Sequence, residues 1–101
     1  MVGITFRWLV DDGCEVVACH TVEAARVCLE PLKPDVLLTD VRLGKDNGFF
    51  LAVMASQKAP ATRIIVMSGF DDPVLRLEAQ KLNAEYLLKP LDRDRLRKII
   101  G

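Results

Sequence analysis

The sequence predicts an α/β fold, a parallel sheet with helices on both faces, and three observations predict it. Short apolar runs recur at Val36-Leu37-Leu38-Thr39, Ile64-Ile65-Val66-Met67 and Tyr86-Leu87-Leu88. They are continuous rather than alternating, which marks strands buried on both faces, and such strands belong to parallel sheets roofed by helices. Segments of helical character separate them, the alternation expected of α/β architecture. Each run also ends on a chemically useful residue: Asp40, Ser68 or Lys89. In an open parallel sheet, that C-terminal strand edge is where ligands bind.

Length and composition narrow the rest. A chain of 101 residues supports one small domain with one core, so residues 1–101 are expected to form a single unit with no output domain. The 14 basic and 14 acidic residues cancel, so nothing in the overall charge points to nucleic acid or a membrane surface. No apolar run approaches the roughly 18 residues of a membrane span. The first residues, Met1-Val2-Gly3-Ile4-Thr5-Phe6-Arg7-Trp8, lack a charged leader and a small-residue cleavage site, so a cytoplasmic location is expected. Cys14, Cys19 and Cys28 are odd in number and form no C-x-x-C pair; they read as free thiols of a reduced compartment. His20 has no partner histidine at ligand spacing and reads as a loop residue.

The elements follow in order. Glu15-Val16-Val17-Ala18 reads as a short strand. Thr21 can cap a helix that presents Val22, Ala25, Val27 and Leu29 and ends near Pro31. Pro34 precedes the strand at residues 35–39. Residues 42–48, Arg-Leu-Gly-Lys-Asp-Asn-Gly, are dense in turn formers. A helix then runs to about Lys58 and buries Leu51, Met54 and Ala55. After the strand at residues 64–67, Asp72 as N-cap and Pro73 at the first helical position start a helix carrying Val74, Leu75, Leu77 and Leu82, which Asn83 can end. Residues 85–88 form a strand, and Asp92 caps a last helix with Leu96, Ile99 and Ile100. Arg93, Arg95, Arg97 and Lys98 interleave with Asp92 and Asp94, as on a solvated face.

The three strand ends carry a coherent chemistry. A carboxylate such as Asp40 can take a phosphoryl group as an acyl phosphate. That transfer needs charge neutralisation more than covalent help. Lys89 can place a point charge on a phosphoryl oxygen, and Ser68 can donate a hydrogen bond to another.

With these residues in place, the chain resembles a response-regulator receiver domain over about residues 8–100. Asp35-Val-Leu-Leu-Thr-Asp40 resembles the phosphoacceptor strand, and Asp46-Asn47-Gly48 supplies a turn glycine eight residues after that aspartate. Met67-Ser68-Gly69 resembles the strand with the switch Ser/Thr. Ala84-Glu-Tyr86-Leu-Leu-Lys89-Pro90 resembles the last strand, with an aromatic switch position three residues before the lysine. The resemblance implies a flavodoxin-like (CheY-like) fold. It implies a phosphoacceptor role in a bacterial two-component relay, with Asp40 modified by a histidine kinase or phosphotransfer protein. It further implies Ser68 and Lys89 at the reacting group, Ser68 and Tyr86 as the switch, Mg²⁺ as the ion, and a downstream protein target. No enzymatic turnover is implied.

The N-terminal part departs from the family pattern. Gly13 lies 27 residues before Asp40 and matches the turn into the second strand. Residues 1–12 then fall on the first helix, with Phe6, Leu9 and Val10 on its apolar side. The first strand and its metal-holding acidic pair are expected to be missing, with Met1 an internal methionine of a longer ancestor. Alternatively, residues 4–10 form a strand closing on Asp11-Asp12, either as a hairpin through Asp12-Gly13 or as a repositioned parallel strand. Loss of an interior strand exposes backbone pairing groups, so a homodimer is expected. Asp40 and the backbone carbonyl of Arg42 remain as metal ligands, with Asp11 and Asp12 as substitutes only if the chain brings them to the sheet edge. Mg²⁺ binding is accordingly expected to be weak. A degenerate receiver that serves only as an interaction module is the alternative function. A haloacid-dehalogenase-like phosphohydrolase fits poorly, because Arg42 stands where that family needs a second aspartate.

Overall fold

Ile64, Ile65, Val66 and Met67 lose nearly all contact with water, and the fold is assembled around the strand they form. In this computed structural model, residues 11, 13, 21–32, 34–43 and 46–100 are described. The elements in chain order are α1 (Val22–Leu32), β1 (Val36–Asp40), β2 (Arg42–Leu43), β3 (Asp46–Asn47), α2 (Phe49–Lys58), β4 (Arg63–Ser68), α3 (Pro73–Lys81), β5 (Glu85–Leu88) and α4 (Arg93–Ile100).

The sheet is parallel, as its continuous apolar strands require. Its order among the described residues is β1-β4-β5. Leu38 pairs with Ile65 and Asp40 with Met67; Val66 pairs with Tyr86 and Ser68 with Leu88. Two apolar layers sandwich it. One gathers Leu29, Phe49, Ala52, Ala55, Ile64, Val66, Ala79 and Tyr86, and the other is built on Ile65, Leu87 and Leu96. Successive residues of β4 thus feed opposite layers, as strand geometry dictates.

Capping chemistry sets where the helices begin. Thr21 Oγ1 accepts a hydrogen bond from Ala24 N. Asp72 Oδ1 accepts from Val74 N and Leu75 N, with Pro73 at the first helical position. Asp92 Oδ1 accepts from Asp94 N and Arg95 N. Asn83 ends α3 at a φ of 57°, a left-handed conformation that asparagine tolerates. Arg63, at the start of β4, donates to the carbonyl of Ile99 in the last turn of α4, where a cation complements the helix dipole.

Several sequence expectations need correction. Val27 does not face the core: it lies about 200° round the helix from Ala25 at ~100° per residue and is exposed, whereas Leu29 is buried. The helix does end near Pro31, at Leu32. Val74 and Leu77 are exposed; α3 buries Ala79 instead, with Leu75 and Leu82 packed partly against the same layer. A small side chain there lets the helix lie close to the sheet. Met54 is only partly buried, and α2 buries Phe49, Leu51, Ala52 and Ala55. Residues 42–48 hold a two-pair antiparallel ribbon, β2 with β3, rather than turn alone.

The expected strand at residues 15–18, and most of residues 1–12, lie outside the described residues. Asp11 is helical and exposed, and Gly13 takes a φ of 87°. No helix among the described residues is long and apolar enough to cross a membrane.

The two apolar classes should separate in mutagenesis. Leu51→Ala removes a side chain with 2% exposure and should cost about 2–5 kcal/mol in urea unfolding. Leu77→Gln, on the outer face of α3, should shift stability by less than about 0.5 kcal/mol.

Candidate functional site

The parallel register delivers three side chains to one edge. Asp40 closes β1 and Ser68 closes β4, while Lys89 follows β5 directly. The ladder continues past the strands: Val41 N donates to Met67 O at 2.8 Å, and Lys89 N donates to Ser68 O at 2.8 Å. Main-chain hydrogen bonds therefore place all three residues.

Lys89 Nζ forms an ion pair with Asp40 Oδ1, reaching across the end of β4. The Asp40 side chain is 14% exposed and that of Lys89 39%. The carboxylate is thus withdrawn from water while the ammonium keeps partial hydration. Among the described residues, the Lys89 ammonium is the one polar group against Asp40 Oδ1. The ammonium engages one lone pair of this oxygen, and the remaining lone-pair capacity of the carboxylate is open to an electrophile or a cation. The Lys89–Pro90 peptide bond is cis.

The Asp40 main chain is gripped from two sides. Thr39 Oγ1, buried, donates to Asp40 O at 3.0 Å. Gly48, which starts α2, presses on the same peptide. A Cβ at Gly48 would clash with Asp40 O and lie 3.0 Å from both Asp40 C and Thr39 Oγ1. Gly48 N also donates to Val41 O at 2.7 Å. The sequence marks Gly48 as a turn glycine; the structure shows that close backbone approach, and not its φ of −64°, demands glycine.

Ser68 connects this edge to Tyr86. Phe70 N donates to Ser68 Oγ at 3.1 Å, and Tyr86 Oη donates to Phe70 O at 2.8 Å. Tyr86 is buried, with its hydroxyl satisfied. It is therefore both a core aromatic and a polar contact of the loop that carries Ser68. The main chain of Phe70 as the joint between Ser68 and Tyr86 was not visible in the sequence. Nor was Arg76, whose guanidinium carbon lies 4.9 Å from the Tyr86 ring centroid. Contacts across elements leave no local signal in sequence.

The expected ion-holding residues are only partly assembled. Arg42 follows Asp40 by two residues and pairs with Asn47. Asp11 is exposed, and Asp12 lies outside the described residues. Among the described residues, no group of three or more His, Cys, Asp or Glu side chains is placed to hold a metal ion.

Comparison with known proteins settles the family. The model of the response regulator receiver domain matches residues 1–101. The chain belongs to the response regulator receiver family. It is similar to the alginate biosynthesis transcriptional regulatory protein AlgB of Pseudomonas putida, 33% identical over 97 residues, which cover 92% of this chain and 21% of that protein. It is also similar to the DNA-binding transcriptional regulator NtrC of Klebsiella pneumoniae, 30% identical over 103 residues, covering 86% of this chain and 22% of NtrC. The receiver chain thus spans about a fifth of the length of these relatives. Among solved structures, a response regulator protein from Burkholderia pseudomallei, with a phosphorylated aspartic acid, calcium ion and citrate, superposes with a TM-score of 0.88 at 26% identity, covering 98% of this chain and 59% of that one. A response regulator from Thermotoga maritima gives 0.78 at 29% identity, covering 98% and 90%. The parallel sheet, three-stranded among the described residues, with its helices is the flavodoxin-like receiver fold, and homology to AlgB and NtrC is consistent with a phosphoacceptor domain of a two-component system.

Gly48→Ala should displace the Asp40 peptide. The expected cost is about 1–3 kcal/mol in urea unfolding, with a large amide shift at Asp40 and Val41 in a ¹⁵N correlation spectrum.

Proposed function

We propose that this receiver accepts a phosphoryl group on Asp40 from a bacterial histidine kinase or phosphotransfer protein. The supporting observation is the Asp40–Lys89 ion pair across the end of β4, with the Ser68 strand end between them. An oxygen of Asp40 attacks phosphorus, the donor's bond to phosphorus breaks, and the donor leaves with the electron pair. Lys89 neutralises charge on the transferring group. The Ser68 hydroxyl, which accepts from Phe70 N, has its own hydrogen to donate to a phosphoryl oxygen. The phosphorylated aspartic acid of the Burkholderia pseudomallei relative supports the same reading.

Mg²⁺ fits the hard oxygen donors at this edge. Asp40 and the carbonyl of Arg42 would hold it with several waters, and it would supply further charge neutralisation. With so few protein ligands, its affinity is weak. The calcium ion in the Burkholderia protein is in keeping with a divalent cation there.

The domain acts in the cytoplasm as a signalling switch rather than an enzyme. Its output reaches a downstream protein through the elements that hold Tyr86. Phe70, Val74, Leu77 and Leu88 leave apolar side chains exposed there, and a second copy of the chain is a fitting partner for such surface, making a homodimer.

Intact mass after incubation with a small acyl-phosphate or phosphoramidate donor and Mg²⁺ tests the reading. The protein should gain one phosphoryl group, Asp40→Ala should gain none, and Lys89→Met should react on the order of a hundredfold more slowly. No gain in the parent protein would assign the chain instead to phosphorylation-independent interaction.

A further inference from the structure

We propose that Asn47 is a site of spontaneous modification, at which the nitrogen of Gly48 closes on the side-chain amide, and that the β-aspartyl link so formed displaces the main chain of Asp40. Phosphorylation of Asp40 is not required for it.

The groups that the reaction needs stand together. Asn47 is exposed, so its side-chain nitrogen can leave into water. Phe49 N donates to Asn47 Oδ1 at 3.0 Å. That donor polarises the amide carbonyl and is aimed at the oxygen on which negative charge develops when Cγ is attacked. The nucleophile, Gly48 N, belongs to the next peptide unit, so attack is intramolecular and favoured by proximity. Glycine carries no side chain to hinder the approach.

The step needs no co-reactant but water. Gly48 N attacks Asn47 Cγ and a C–N bond closes a cyclic imide. The side-chain nitrogen leaves as ammonia, taking the Gly48 amide proton. Water then opens the ring. At the side-chain carbonyl it gives aspartate in a normal chain; at the main-chain carbonyl it gives a β-aspartyl link.

A hydrogen bond holds Gly48 N back. It donates to Val41 O at 2.7 Å, and a nitrogen whose proton is so engaged attacks poorly. The bond lies at the end of a ribbon in which Arg42 pairs with Asn47 and Leu43 with Asp46. A two-stranded ribbon this short is marginally stable and opens locally, which frees the nitrogen. Asn83 gives the contrast. It too is exposed, and the amide that follows it, Ala84 N, donates to Ala79 O at 2.9 Å. There a methyl group hinders approach and the amide is tied to α3, so Asn83 should keep its side-chain amide.

The β-aspartyl link adds a carbon to the main chain immediately before Gly48. Gly48 has little slack: a Cβ there would clash with Asp40 O and lie 3.0 Å from Asp40 C and Thr39 Oγ1. The Arg42–Asn47 pairing is lost, and Gly48 shifts against the Asp40 carbonyl. Opening to aspartate keeps the chain length and leaves that contact in place.

Folded protein held for days in mildly alkaline buffer provides the test. Tryptic peptides separate Asn47 from Asn83, and an isoaspartyl methyltransferase with a labelled methyl donor marks the β-aspartyl product. The Asn47 peptide should lose its side-chain amide and take up label, while the Asn83 peptide should keep its amide. In ¹⁵N-labelled protein, the Asp40 and Val41 cross-peaks should each develop a second position that grows with the label. Asn47→Gln, whose longer side chain closes the ring poorly, should hold a single set of peaks over the same time. Fresh Asn47→Asp, with the new charge but a normal link, should not show the second positions.

An Asn47 amide that survives as long as that of Asn83 overturns the proposal. Label at Asn47 with unmoved Asp40 and Val41 cross-peaks overturns it as well, and so does a fresh Asn47→Asp spectrum that already shows the second positions.

Discussion

Lys89 can meet Asp40 only because β1 and β5 flank the same central strand in parallel and end at the same level. The two residues belong to strands that do not pair with each other; two interstrand spacings of about 4.8 Å separate them. The register closes the distance. Asp40 stands beside Met67 and Ser68 beside Leu88, and Lys89 N extends the ladder onto Ser68 O. A slip of one residue in β1 would turn the Asp40 side chain to the other face of the sheet. What prevents the slip is burial. Ile64 and Val66 fill one layer and Ile65 the other, so displacement of a neighbouring strand would disrupt packing on both faces. Core packing thus fixes the geometry of a polar site that lies outside it.

That arrangement places charge where it is worth more to chemistry than to stability. An ion pair with one partly hydrated partner contributes on the order of 1 kcal/mol or less to folding. Complete burial would raise the desolvation cost beyond the attraction. At 14% exposure for the carboxylate and 39% for the ammonium, the pair sits between these limits. Its electrostatics are stronger than in open water, yet both groups stay near solvent. Gly48 contributes in a different way. By leaving no room for a side chain against Asp40 O, it lets α2 brace the strand end from below. The rigidity of the Asp40 main chain therefore comes from main-chain contact, and the carboxylate itself is met by the Lys89 ammonium.

Much of this was legible in the sequence. Continuous apolar runs announce buried parallel strands, and Asp72-Pro73 and Asp92 announce helix starts, because these signals are local and each has one dominant physical cause. The trio of strand ends was legible for the same reason: once the runs are strands of one parallel sheet, their C-termini share an edge. Helix faces were less legible. Val74 and Leu77 are apolar and exposed, while the buried contact of α3 is Ala79, so hydrophobicity alone pointed to the wrong face. Closeness of packing, which favours alanine, is a property of the helix–sheet pair and not of the helix. The β2–β3 ribbon escaped because each strand has only two residues, too few for any periodicity. Arg76 over Tyr86 escaped because the partners lie on different elements and meet only in the folded chain.

The route from the strand edge to the surface is short, and both of its ends are held. Ser68 belongs to β4 and is buried; Asp72 is fixed by two capping hydrogen bonds to α3. Between them, Gly69, Phe70 and Asp71 are exposed, and space is open where a side chain on Gly69 would project. Motion set off at Ser68 has few residues in which to be absorbed. Because Phe70 is bound through its N–H to Ser68 and through its carbonyl to Tyr86, a shift of that one residue alters both contacts together. A group on Asp40 biases such an equilibrium only to the extent that it binds one arrangement better than the other. The main chain of Phe70 is thus the physical link between the strand edge at Ser68 and the buried Tyr86.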